Sequence, residues 1–216
     1  MAERKRGPAR LEVAVTGPTG EIGQAVVAAL ERSREVRRIL GMARRPFDPA
    51  ARGWRKVFYR RGDVLDRAAV AALVEDVDVV VHLAFIIMGS ASESRAVNLE
   101  GSRNVFQSAV DARVGRLIYA SSVAAYGFHG DNPQPLTEDV PARGTDSHYY
   151  SAQKAEVERL LARTLARTAT KAYVFRPCIV AGPRAPLLLD SLPQLRERLA
   201  AQEIKIERFE VDLYQV

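Results

Sequence analysis

Cysteine is almost absent from this 216-residue chain: only Cys178 occurs, so no internal disulfide can form and buried apolar surface must hold the fold. A reducing compartment is expected. The three histidines, His82, His129 and His148, lack metal-ligand spacing and no Cys/His cluster exists, so no metal is expected. Long apolar runs are missing too. The most apolar stretch, "VVVHLAFIIM" (79–88), is too short to span a bilayer, and the basic N-terminus "MAERKRGPAR" lacks the apolar segment of a signal peptide. A cytoplasmic protein without a membrane partner is therefore expected. Aromatic residues make up 7%, with no RNA-binding signature and no recognition helix among them. The net charge of +6 is concentrated early, with 16 Lys or Arg against 8 Asp or Glu up to Arg67. This distribution reads as a solvated basic face rather than a nucleic-acid surface.

What is present is an ordinary globular composition, 47% hydrophobic and 27% charged, with alternating periods. Six short apolar runs read as strands: "LEVAVTG", "VRRILGMA", "WRKVFYR", "VDVVVHLAF", "GRLIYASS" and "KAYVFRP". Helical spacing falls between them at about 22–31, 68–74, 94–111 and 149–167, with Ile22, Val26, Val27 and Leu30 on one face of the first. Strands alternating with helices imply an α/β fold, a parallel sheet covered on both faces.

Two motifs carry chemistry. "TGPTGEIG" places Gly17, Gly20 and Gly23 between the first strand and first helix, where glycines permit a tight turn and close approach to a pyrophosphate. A plain glycine-rich turn is the alternative. "YSAQK" sets Tyr150 and Lys154 at i and i+4 on one helix face, and a nearby cation lowers a phenol pKa toward neutrality. Ser121 and Ser122 end the fifth strand, where an open α/β sheet puts its chemistry.

With "GDVLD" (62–66), "HLAF" (82–85), "VNLEGSRNV" (97–105), "SSVAAYG" (121–127) and "RPCIVAGP" (176–183), these motifs resemble the extended short-chain dehydrogenase/reductases, NAD(P)-dependent epimerases, dehydratases and reductases. The resemblance covers about 11–183 and implies a Rossmann-like, doubly wound sheet. It assigns Gly17, Gly20, Glu21, Ile22 and Gly23 to the pyrophosphate turn and helix head. Asp63 and Val64 would flank adenine, with a turn or cap as the alternative for Asp63. Leu83 and Ala84 would line the path past the ribose, and Pro177, Ile179 and Val180 would lie against the nicotinamide. Asn98 reads as either the family's structural asparagine or a solvent-facing residue. Ser122 would steady the substrate oxygen, with Ser121 the lesser choice. Tyr150 would be the acid/base, and Lys154 would hold the ribose and lower the tyrosine pKa. Cys178 reads as a packing residue rather than a reactive thiol. His82 reads as a strand residue at the sheet edge, and His129 and His148 as loop residues near the cleft.

Ala43 stands where NAD-preferring members carry an acid at the end of the second strand, and Arg44 and Arg45 follow. Guanidinium groups suit a 2′-phosphate, so NADP(H) is expected ahead of NAD(H), unless both arginines belong to the basic surface. Residues 1–10 read as a basic tail, 11–183 as the dinucleotide-binding domain, and 184–216 as a partial substrate lobe or truncated tail. The last segment offers a helix at 192–201 and an alternating strand through Phe209, Val211 and Leu213. The implied function is hydride transfer between nicotinamide and a hydroxyl or carbonyl carbon of a small molecule, a nucleotide sugar or carbonyl compound. The alternative is a non-catalytic dinucleotide-binding protein on the same fold. A homodimer is left open.

Overall fold

The computed structural model describes residues 10–87, 90–178 and 180. The expectations for Ile179, for the helix and strand beyond residue 190, and for residues 1–9 lie outside the described residues. Six parallel strands form one sheet in the order β3-β2-β1-β4-β5-β6. They are β1 (Leu11–Thr16), β2 (Val36–Ala43), β3 (Val57–Arg61), β4 (Val79–His82), β5 (Arg116–Ala120) and β6 (Lys171–Phe175). Each follows from its sequence: β-branched runs suit a pleated surface, and strands buried on both faces read as continuous apolar runs.

Alternation divides the core between the two faces. Val13, Val15, Val79 and Val81 pack with Val27 of α1 (Glu21–Arg32) on one side. Ala14, Val80 and Leu117 pack with Val70, Phe106 and Leu160 on the other. Those residues belong to α2 (Arg67–Val74), α4 (Ser102–Asp111) and α5 (Tyr149–Leu165).

The register lines up one row across the sheet: Met42 pairs with Thr16, Thr16 with His82, His82 with Tyr119, and Tyr119 with Val174. The chain order reverses between β1 and β4, where such a sheet opens a crevice beyond its strand ends. Segments that follow this row therefore converge on one rim.

Two elements differ from the sequence expectation. The helix expected at 94–111 begins as α3 (Ala91–Arg95), widens into a π-helical turn (Ala96–Gly101), then continues as α4. That turn directs Val97, Asn98, Leu99 and Gly101 inward together, which 3.6-residue spacing would not do. A 3-10 turn, Val123–Tyr126, follows β5, capped by the Ser122 side chain.

His82 corrects the sequence reading. It ends β4, an interior strand, and is fully buried. Its Nδ1 meets Thr16 Oγ1 at 2.7 Å and its Nε2 meets Ser102 Oγ at 2.9 Å. Burial, helped by the Lys154 charge, lowers its pKa to about 3 and keeps the ring neutral.

Candidate active site

The β1–α1 turn is shaped by its glycines. Gly17 has φ +73, and a Cβ there would lie 2.9 Å from Ala84 N and 3.0 Å from the Leu83 carbonyl carbon. A Cβ on Gly23 would lie 2.1 Å from Gly17 O. Gly17 is thus required by backbone packing of the turn against the segment after β4, and Gly23 by packing of α1 against the turn itself. Gly20 is different. It caps α1 with no side-chain bond, and a Cβ there meets nothing nearer than Gly17 O at 3.6 Å. The first turn of α1 carries Glu21 and the 40% exposed Ile22 at the positive end of the helix dipole, a setting that fits a phosphate.

Leu83 N donates to Thr16 O at 3.1 Å, which fixes the segment after β4 beside the glycine turn. Further along, Ile86 is held by Asn98, whose Oδ1 accepts from Ile86 N at 2.7 Å and whose Nδ2 donates to Ile86 O at 2.9 Å. The same Nδ2 reaches Gln153 Oε1 of α5 at 2.7 Å. Asn98 is fully buried, so the π turn ties the β4 segment to the helix of Tyr150 and Lys154. The solvent-facing reading of Asn98 does not hold.

The Ser122 side chain lies beside the Tyr150 phenol and acts on its protonation. Burial raises the phenol pKa above the ordinary 10.0, and Ser122 pulls it part of the way back. The expected lowering by Lys154 is not what this geometry gives. Lys154 Nζ donates to Ala120 O at 2.7 Å and sits 3.6 Å from the Phe85 ring centroid, against 5.8 Å from that of Tyr150. Burial lowers the Lys154 pKa to about 7, opposed by the carboxylate of Glu158. Phe85 also meets Tyr150 edge-on, ring centroids 5.7 Å apart. The sequence reading gave Phe85 no role; its one signal was an aromatic closing the apolar run of the fourth strand.

The supporting shell is polar and satisfied. Glu158 accepts from Ser121 Oγ and pairs with Arg176 at 2.7 Å, while Arg176 lies 4.4 Å from the Tyr126 ring centroid. That bond commits Ser121 to the scaffold and leaves Ser122 facing Tyr150. Val123 N donates to Pro177 O at 3.1 Å, so the segment after β6 lies against the 3-10 turn. Val180 is exposed. His148 caps α5 through Nδ1, and His129 Nε2 meets Gly144 O at 2.6 Å, structural tasks for both. Among the described residues no group of three or more His, Cys, Asp or Glu is placed to hold a metal.

The adenine-side residues divide. Asp63 Oδ1 accepts from Leu65 N at 3.0 Å, which makes Asp63 a turn former at the rim. Val64 is buried against Gly101, and its carbonyl accepts from Asn104 Nδ2 at 2.9 Å. Arg44 and Arg45 follow β2, exposed and without an ion-pair partner among the described residues.

The ordered glycine turn, the Ser122–Tyr150 pair and the buried Lys154 share one rim of a 3-2-1-4-5-6 sheet. The sequence profile of the NAD dependent epimerase/dehydratase family matches residues 13–213. The chain belongs to that family.

Among its relatives is 3beta-hydroxysteroid-dehydrogenase/decarboxylase isoform 2 of Arabidopsis thaliana. It is 33% identical over 141 residues, 63% of this chain and 25% of its own length. The 3 beta-hydroxysteroid dehydrogenase type 7 of Mus musculus is 31% identical over 176 residues, 74% of this chain and 46% of its own. The chain thus spans less than half the length of either. Among solved family structures, the Bordetella bronchiseptica enzyme WbmH in complex with NAD+ superposes with a TM-score of 0.70 at 26% identity. The match covers 89% of this chain and 64% of that one. The described residues contain no helix long and apolar enough to cross a membrane.

Proposed function

We propose that this chain binds a nicotinamide dinucleotide and supports oxidoreduction or epimerisation at an oxygen-bearing carbon of a small molecule, a nucleotide sugar or carbonyl compound. One observation carries the reading: the fold brings the Ser122 and Tyr150 side chains together at the rim where the glycine turn also ends. Gly17, Gly20, Glu21, Ile22 and Gly23 would hold the pyrophosphate, Asp63 and Val64 the adenine, and Lys154 the ribose beside the nicotinamide. Leu83, Ala84, Pro177, Ile179 and Val180 would line the remainder. When bound, the dinucleotide supplies the hydride acceptor or donor.

The protein's part is proton movement and orientation. A phenol raised above 10.0 is protonated at neutral pH, so Tyr150 is ready to give a proton to a substrate oxygen. Ser122 Oγ, beside it, would donate to the same oxygen and fix its position. Taking a proton is harder for a phenol so buried, because burial disfavours the phenolate. Residues 11–183 would form the dinucleotide domain and 184–216 part of a substrate lobe.

NADP(H) is the proposed form. Ala43 leaves the end of β2 without a carboxylate for a ribose 2′-hydroxyl, and two exposed guanidiniums follow it. Loss of charge-assisted bonds on replacing Arg44 and Arg45 with alanine should weaken NADP(H) by about 1–3 kcal/mol and NAD(H) far less. Equal losses would reduce the arginines to general positive potential.

The chemistry is tested by Tyr150→Phe, in this chain and any longer form of it, against nucleotide sugars and carbonyl compounds. The ring still packs against Phe85, so cofactor affinity should persist while turnover drops about 10²–10⁴-fold. Undiminished turnover would remove Tyr150 from the mechanism.

A further inference from the structure

Three consecutive carbonyls at the end of β2 are held by side chains of β3. Tyr59 Oη reaches Ala43 O at 2.8 Å and also Arg45 O, sharing its one hydrogen between them. Arg61 Nε donates to the carbonyl between, Arg44 O, at 2.8 Å. The register places them there: Gly41 pairs with Tyr59 and Ala43 with Arg61, and strand alternation puts both side chains on one face of β3. The Tyr59 ring is set against Phe47, edge-on with centroids 5.5 Å apart, and lies over Gly41, where a Cβ would be 3.5 Å from it. Burial raises the Tyr59 pKa, partly offset by the Ala43 bond and the Arg61 charge, so the phenol remains a donor.

A turn tied by its carbonyls must present its side chains outward. Arg44, Arg45 and Arg61 are all exposed, and among the described residues none has a carboxylate partner. Gathering guanidiniums on one short turn without a counter-ion is unfavourable unless an anion joins them. Holding the turn in advance removes part of the ordering cost of binding that anion.

We propose that Tyr59 and Arg61 are positioning residues that lock the 43–45 turn so that Arg44 and Arg45 recognise a phosphate monoester on the adenosine ribose. This rests on the cofactor reading above and adds two β3 residues that the motifs do not mark.

The test compares NADP+ and NAD+, which differ only in that phosphate, by calorimetric titration of the whole chain. Tyr59→Phe keeps the ring packing and removes both carbonyl contacts. The ratio of the two affinities should fall about tenfold, with NAD+ affinity nearly unchanged. Arg61→Ala should do the same. Arg61→Gln, which lacks the charge but retains a donor for Arg44 O, should recover most of the loss. Equal weakening of both cofactors, or no change in the ratio, overturns the proposal, while a selective loss in the Arg44/Arg45 double-alanine variant leaves the cofactor reading standing. A wild-type preference for NAD+, unaffected by that double variant, overturns both.

Discussion

Gly20 and Gly23 sit three residues apart in one motif, yet substitution should separate binding from folding. In Gly23→Ala the new methyl carbon starts 2.1 Å from Gly17 O and 2.9 Å from two Pro18 backbone carbons, where ordinary contact begins at 3.4 Å. All three neighbours are backbone in a turn pinned by Gly17 N to Met42 O at 2.9 Å, so a retreat of about 1 Å must be forced on the strand end. Overpacking costs about 1–3 kcal/mol with flexible neighbours, and this rigid case belongs at or above the upper end. Gly20→Ala starts from φ -74, ψ 169, extended backbone open to any residue, with 3.6 Å of clearance. Its weaker helix capping and its reduced unfolded-state entropy offset each other to within about 1 kcal/mol. Urea denaturation should therefore show a large drop in midpoint for Gly23→Ala and little change for Gly20→Ala. Titration with NADPH should show the reverse emphasis for Gly20→Val, which stays folded but places a branched side chain over the first turn of α1. A Gly23→Ala protein as stable as wild type would refute the packing argument. Unchanged NADPH affinity in Gly20→Val would refute the assignment of that space to a phosphate.

Lys154 makes stability depend on pH. Its folded pKa of about 7 lies below the ordinary 10.5, so between those values the unfolded chain binds a proton that the folded chain has shed, and this residue's contribution to stability rises with pH. Lys154→Met should flatten that rise and be the more stable protein near pH 6, as read by denaturation at pH 6 and pH 9; parallel profiles would show the amine is not desolvated. Asn98→Leu should cost about 2–4 kcal/mol, because it leaves the Ile86 N–H and C=O without the bonds they now make inside the fold. Near-wild-type stability in thermal or urea unfolding would show that the Ile86 segment finds other partners.

The sequence by itself determined the layers and the order of the motifs. Strand and helix positions followed from local period: "VRRILGMA" is β2 residue for residue, because β-branched runs and glycine punctuation act over a few residues. The places of the glycine turn, Ser122, Tyr150 and Lys154 on the elements, near strand ends and helix starts, were legible for the same reason. What only the tertiary structure decided were contacts between segments far apart in the chain. Register placed His82 between Thr16 and Ser102 in the interior instead of at an edge, and its desolvation follows from that position. The i and i+4 spacing of Tyr150 and Lys154 put them on one face but could not show Phe85 receiving the ammonium, nor burial raising the phenol. The roles of Asn98, Ser121 and Tyr59 were equally hidden. Each depends on a partner at least 12 residues distant, brought close by strand pairing or helix packing, and no local pattern records such a distance.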